Sequence, residues 1–150
     1  MLRGISHLIS PKLLETLCRM GHHDEIVFGD AHFPGESNSS NVIRADGVEI
    51  NALLDGVLPL FVLDHAVDHP VIMMEPVEQD RSSAQLMEKY HKVYQGYDDL
   101  ISKHYPSTPS IEKIDKFKFY ERASNAFAVV MTGDLRIYSN IILVKGVTTW

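Results

Sequence analysis

Gly21-His22-His23-Asp24-Glu25-Ile26-Val27-Phe28-Gly29-Asp30-Ala31-His32-Phe33-Pro34 sets a short apolar run between two polar ones. Ile26-Val27-Phe28 reads as a buried strand that ends at Gly29-Asp30. Before it stands a helix. Ser10 can cap it, Pro11 suits its first turn, Leu13, Leu14 and Leu17 form one apolar stripe, and Gly21 stops it. Cys18 falls inside that pattern and is expected to be a buried, inert thiol.

Further along, residues 34–41 are a loop by composition, and a helix covers Asn51 to Leu58 until Pro59 breaks it. Val71-Ile72-Met73-Met74 is a second strand. The spacing of Leu86, Tyr90, Val93 and Tyr97 predicts an amphipathic helix from Ser83 to about Ser102, with Gly96 as a point of interruption. A short helix around Phe119 to Asn125 leads into a predicted hairpin. Its arms are Phe127 to Met131 and Arg136 to Val144, joined by a Thr132-Gly133-Asp134 turn. Helices and short buried strands in alternation predict an α/β domain, with helices packed on a sheet. No repeat or linker divides the chain, so residues 1–150 read as a single domain. Trp150, at the very end, either packs on a neighbouring subunit or is disordered.

The composition narrows the function. Of 150 residues 45% are apolar and 23% charged, and the net charge is −6. The positive charges are scattered, without the basic cluster that tracks a phosphate backbone, so nucleic acid is not an expected partner. Cys18 is the single cysteine, which precludes an intrachain disulfide. No apolar run is long enough for a signal peptide or a membrane span, so a soluble, cytoplasmic protein is expected.

Three polar groups could carry chemistry. His22 and Asp30 bracket the first strand, and Asp30 lies at its carboxyl end, where α/β sheets tend to bind ligands. A carboxylate there can bind sugar hydroxyls or orient an imidazole, and both uses require it to be ionised. The second group is Phe117-Lys118-Phe119-Tyr120-Glu121-Arg122-Ala123, which by pattern alone reads more readily as a plain helix start with two core aromatics and a solvated Glu/Arg pair. The third is Tyr138-Ser139-Asn140; on a strand Tyr138 and Asn140 would share one face and present a phenol and an amide.

Several runs together resemble the fucose mutarotase branch of the RbsD/FucU family. They are Leu-Ile-Ser-Pro-Lys-Leu-Leu (8–14), Met-Gly-His-His-Asp-Glu-Ile-Val-Phe-Gly-Asp-Ala-His-Phe-Pro (20–34) and Val-Ile-Arg-Ala-Asp-Gly (42–47). Phe-Tyr-Glu-Arg-Ala (119–123), Ala-Phe-Ala-Val-Val-Met-Thr-Gly (126–133) and Tyr-Ser-Asn-Ile-Ile-Leu-Val-Lys-Gly-Val (138–147) continue the match in order. The resemblance implies a three-layer α/β/α fold around a mixed sheet and a ring-shaped oligomer, typically a decamer. It implies exchange of the α and β anomers of L-fucose, or pyranose–furanose exchange of ribose in the sister branch. The family's catalytic histidine falls on His22, its substrate carboxylate on Asp30, its tyrosine on Tyr120 and its sugar-binding segment on Tyr138, Ser139 and Asn140. Lys116 stands where the fucose branch has a substrate-contacting arginine, and His23 where the family usually has glycine.

Such a reaction needs an acid and a base, both restored each cycle, and no redox cofactor. Histidine suits it, since an unperturbed imidazole titrates at about pH 6.5. His22 is therefore assigned proton transfer, Asp30 hydroxyl binding or control of the His22 tautomer, and Tyr120 the complementary relay. Tyr138 and Asn140 are assigned hydroxyl recognition. A metal site built from His22, His23, Asp30 and His32 is the first rival, disfavoured because adjacent histidines on extended backbone would point apart. A non-catalytic sugar-binding module is the second.

Overall fold

The computed structural model describes residues 2–149, so Trp150 lies outside the described residues. Its first helix, α1 (Pro11–Arg19), begins as the sequence predicts, with the Ser10 hydroxyl accepting the Leu13 N–H at 3.1 Å. Leu13, Thr16 and Leu17 are buried. Cys18 follows Leu17 and is turned about 100° away around the helix, so it is exposed rather than buried.

The chain continues through β1 (Glu25–Gly29), α2 (Gly35–Asn38), β2 (Val42–Ala45), α3 (Ile50–Val57), a 3-10 turn (Leu58–Leu60) and β3 (Val71–Met74). After these come α4 (Glu78–Arg81), α5 (Ala84–His104), β4 (Glu112–Ile114), α6 (Lys116–Asn125), β5 (Ala128–Thr132) and β6 (Ile141–Val144). The predicted loop 34–41 holds the single turn α2. There Gly35 lies so close under Met131 that a Cβ would sit 2.3 Å from its sulfur. The long helix α5 runs through Gly96 without a break, because its buried stripe of Tyr90, Val93, Tyr97 and Ile101 anchors both halves.

The predicted hairpin is not formed. Strand order is β2-β5-β1-β6-β3-β4, so β1 lies between β5 and β6. Strand β1 pairs parallel with β5 and antiparallel with β6. Asp134 accounts for the difference. Its carboxylate accepts the Ile50 N–H at 3.1 Å and the Arg136 N–H at 3.0 Å, which draws the chain toward α3 instead of folding it back on β5.

Only β6 opposes the other strands of this mixed sheet. Side chains alternate between two cores. Ile26, Phe28, Val130, Ile141 and Leu143 face α1, α3 and α5, whereas Val27, Val129, Ile142 and Val144 face Phe33, Phe119 and Ala123 on the α2 and α6 side. The result is the expected three-layer α/β/α arrangement. The carboxyl ends of β1, β3, β4 and β5 share one edge of the sheet with the amino end of β6, and that edge carries a pocket. Among the described residues no helix is long and apolar enough to cross a membrane.

Candidate functional site

A cavity of about 280 Å³ opens at this edge, near the roughly 300 Å³ at which small-molecule pockets begin. Asp30 enters it from the end of β1, Met74 from the end of β3, Lys116 and Tyr120 from α6, and Tyr138 and Asn140 from the loop before β6. His32, Phe33, Asp80 and Ile137 complete the wall. A larger groove of about 610 Å³ between α5 and Leu135–Ile137 has no carboxylate in its lining, so it offers no acid–base pair of this kind.

Local structure fixes each group. Asp30 is buried, its Oδ1 accepts the His32 N–H at 2.9 Å, and its own N–H donates to Asn140 Oδ1 at 2.8 Å. Burial pushes the Asp30 carboxyl up, and the His32 N–H opposes that only in part. The carboxylate that the sequence reading requires to be ionised is thus held closer to protonation than usual.

Helix α6 is aimed by Asp115, whose Oδ1 caps the Phe117 and Lys118 N–H groups at 2.9 and 3.1 Å. One face then buries Phe119 and Ala123, and the next turns Lys116 and the half-buried Tyr120 into the pocket. Phe33 packs edge-on against the Tyr120 ring at 5.6 Å, and Lys116 Nζ lies 5.6 Å from its centroid. Burial and the nearby Asp30 charge both raise the Tyr120 phenol, which keeps it a proton donor near neutrality.

Residues 138–140 reach the pocket by another route than the one predicted. They precede β6, and Tyr138 sits at φ 61°, a left-handed conformation uncommon for a non-glycine residue. Its hydroxyl donates to Asp80 Oδ2 at 2.6 Å. Ser139 lines no part of the pocket. It is buried, its hydroxyl bonds the Arg136 carbonyl at 2.7 Å, and its own carbonyl accepts from Tyr97. It shapes the loop instead of facing the cavity.

His22 lies elsewhere. It precedes β1 at the sheet's opposite edge, so the whole five-residue strand, roughly 16 Å of extended chain, separates it from Asp30. One chain therefore does not bring His22 to Asp30, Tyr120 or Asn140, and within one chain Asp30 does not set its tautomer. Asp64 stands beside it. Nε2 of His22 lies 3.1 Å, and Nδ1 of His23 2.7 Å, from Asp64 Oδ2. These are close polar contacts rather than aligned hydrogen bonds, since among the described residues Oδ2 has no hydrogen-bond partner while its carboxylate is 2% exposed. Burial raises the Asp64 carboxyl, but the Ala66 N–H and both imidazoles outweigh it, so Asp64 stays below the usual carboxylate range.

The two histidines do not point apart. His23 is at φ 69°, a left-handed turn and not extended backbone, and this stacks its ring on His22 at 3.8 Å. Asp64 and Asp80 are not among the residues singled out from sequence. Asp64 had a signal: it follows the apolar run Leu60-Phe61-Val62-Leu63 just as Asp30 follows Ile26-Val27-Phe28-Gly29. Asp80 had none, because its role depends on α4 packing beside the 138–140 loop.

Comparison with known proteins places the chain. A family model, described as the RbsD / FucU transport protein family, matches residues 3–148. The chain belongs to that family. It is 47% identical over 148 residues to the L-fucose mutarotase of Actinobacillus pleuropneumoniae serotype 5b (strain L20), covering 99% of this chain and 98% of the relative. The L-fucose mutarotase of Haemophilus influenzae (strain 86-028NP) is 45% identical over the same shares. Among solved structures, the Streptococcus pneumoniae fucose mutarotase in complex with L-fucose superimposes with a TM-score of 0.88 at 40% identity. That match covers 99% of this chain and 100% of the other. With the Bacillus subtilis RbsD complexed with D-ribose the chain shares the family fold, at a TM-score of 0.72 and 21% identity over 99% and 100% of the two chains.

Proposed function

We propose that this protein exchanges the α and β anomers of L-fucose, or of a closely similar monosaccharide, by acid–base opening and closure of the ring. The observation that carries the reading is its likeness, over nearly the full length of both chains, to L-fucose mutarotases. The pocket chemistry agrees with it. Asp30, Lys116, Tyr138 and Asn140 offer a carboxylate, a cation, a phenol and an amide to sugar hydroxyls, and Tyr120 offers a protonated phenol to the ring oxygen or the anomeric hydroxyl.

The reaction needs a second proton-transfer group, and His22 supplies it from a neighbouring copy. A monosaccharide is too small to span from Asp30 to His22 of the same chain. In a head-to-tail ring, the His22 edge of one copy faces the pocket edge of the next. Exposed apolar groups suit such a cover: Ile137 of the pocket wall is 49% exposed, and Phe117 and Leu135, close in sequence to the lining residues Lys116 and Ile137, are 76% and 74% exposed. With Nε2 of His22 against Asp64, Nδ1 is left to give and take the proton. The assembly is a ring-shaped decamer of the kind the family resemblance implies. The cytoplasm is its proposed location, as fits a chain whose one cysteine allows no intrachain disulfide.

The test is saturation-transfer NMR on L-fucose, which reads anomer exchange directly. Wild-type protein accelerates exchange, and His22→Ala loses about 10²–10⁴-fold of that effect. Exchange by His22→Ala at the wild-type rate would remove His22 from the mechanism, and absence of exchange in the wild type would remove the function.

A further inference from the structure

We propose that His22, His23 and Asp64 form a binding site for a divalent transition ion of the zinc class, and that the bound ion switches off proton transfer at His22. Three ligand atoms, one from each residue, lie within 4.8 Å of one another. The carboxylate is built for the purpose. Oδ1 of Asp64 is engaged by the Ala66 N–H at 2.8 Å, whereas the buried Oδ2 faces the two rings with no hydrogen bond of its own among the described residues. An ionised oxygen out of water with no aligned donor is costly, and a cation between it and the imidazoles would satisfy it.

The dimensions fit. Zinc bonds nitrogen and carboxylate oxygen at about 2.0–2.2 Å, so a tetrahedral ion separates its ligand atoms by about 3.3 Å. The rings stand 2.7 and 3.1 Å from Oδ2, so binding moves them out by about 0.6 and 0.2 Å and rotates the stacked rings until both lone pairs meet one ion. The backbone brings them together: the His23 N–H is held by the Lys145 carbonyl at 2.8 Å, and its left-handed φ of 69° lays the ring beside that of His22. A single chain exposes both imidazoles, at 41% and 57%, and in the assembled ring an ion enters by the opening that admits the sugar. Lys145, the adjacent cation, is turned toward the Phe61 ring and the Gly146 carbonyl. Two imidazoles and one carboxylate select Zn²⁺, Co²⁺ or Ni²⁺ over Mg²⁺ and Ca²⁺, which take oxygen ligands.

Inhibition follows from the nitrogen used, and this half rests on His22 as the proton-transfer group. A ring bound to metal through Nε2 holds its one proton on Nδ1 and has no lone pair left to accept another. It can no longer pass between the donor and acceptor states that each anomer exchange requires.

Cobalt(II) titration of the metal-free protein, followed by visible absorption and by displacement with Zn²⁺, tests the site without reference to catalysis. The expected result is one ion per chain, with affinity at least tenfold weaker in His23→Gly and lost in Asp64→Asn. Glycine suits the left-handed backbone at residue 23, so His23→Gly keeps the fold. Fucose exchange is then measured in Zn²⁺ and in chelator: the wild type is inhibited reversibly, and His23→Gly keeps its basal rate and resists. Equal cobalt binding by wild type and His23→Gly, or no binding by the wild type, overturns the site. Stoichiometric binding without inhibition overturns the switch. A chelated wild type that never exchanges fucose refutes the mutarotase reading and the switch, while the cobalt spectrum still judges the site.

Discussion

His22 and Asp64 meet at the amino edge of the sheet, with Nε2 3.1 Å from Oδ2, at the opposite end of β1 from the pocket. Asp64→Asn keeps the shape of this contact but removes its charge. The expected outcome is a fall in kcat for fucose exchange, no larger than the about 10²–10⁴-fold of His22→Ala, with KM little changed. Exchange at the wild-type rate would show that the carboxylate takes no part. The lowered Asp64 pKa also has a sign for stability. Its contribution is present above the ordinary value of 3.8 and is lost as pH falls through the lower folded value, which acid titration of the unfolding midpoint measures.

If the neighbouring copy completes each site, two inactive variants complement one another. His22→Ala spoils the amino edge of a chain and Asp30→Asn its pocket, so a mixed ring contains interfaces with neither defect. Random mixing by co-expression in a head-to-tail ring gives about a quarter of the wild-type activity. Activity that stays at the level of the separate variants would contradict a shared site.

Asp30 is raised by burial, so the acid limb of kcat/KM lies above the ordinary carboxylate value of 3.8. Activity falls as pH drops through the Asp30 pKa, because the protonated acid loses acceptor capacity toward sugar hydroxyls. For stability the sign is the reverse: ionising Asp30 is unfavourable in the fold, so its contribution is lost as pH rises through the folded value. Asp30→Asn is expected to be inactive yet no less stable than wild type at neutral pH. A pH–rate profile and a thermal melt check both; a marked drop in Tm would contradict the assignment of Asp30 as a group kept at a cost to stability.

Tyr138 reaches the pocket with its hydroxyl on Asp80 at 2.6 Å, held there by a left-handed backbone. Tyr138→Phe leaves Asp80 without that donor and removes one hydroxyl partner of the sugar. The loss is about 1–3 kcal/mol of binding, seen as a raised KM more than a lowered kcat. A fall in kcat at constant KM would assign Tyr138 to the chemistry instead.

Asp134 is buried and joins the 133–140 loop to α3 through Ile50 and to Arg136, whose guanidinium also reaches Asn51 at 2.8 Å. Asp134→Ala removes the acceptor for several donors at once. A cost on the order of 3 kcal/mol is expected, at the low end for a broken buried ion pair because Arg136 is partly exposed. Chemical denaturation measures it, and sugar affinity should fall with it because Tyr138 and Asn140 ride on this loop.

Much of the architecture is legible in local patterns. Ser10, Pro11 and the leucine stripe specify α1, the apolar triplet at 26–28 specifies β1, and the alternation of such elements specifies an α/β domain. These are near-neighbour effects: caps, propensities and periodicity act within a few residues. The hairpin expectation failed for the same reason. Residues 127–144 do form two strands, but which strand lies between them depends on β1, about a hundred residues earlier in sequence, and on the pull of Asp134 toward α3.

By itself the sequence determined the fold class, the family, and the chemical identity of the groups at Asp30, Tyr120, Tyr138 and Asn140. Only the tertiary structure decided how they are grouped. A strand carries its two ends to opposite edges of a sheet, so residues close in sequence, His22 and Asp30, end up apart, while His22 and Asp64 come together. Topology sets those distances, and no local pattern encodes it.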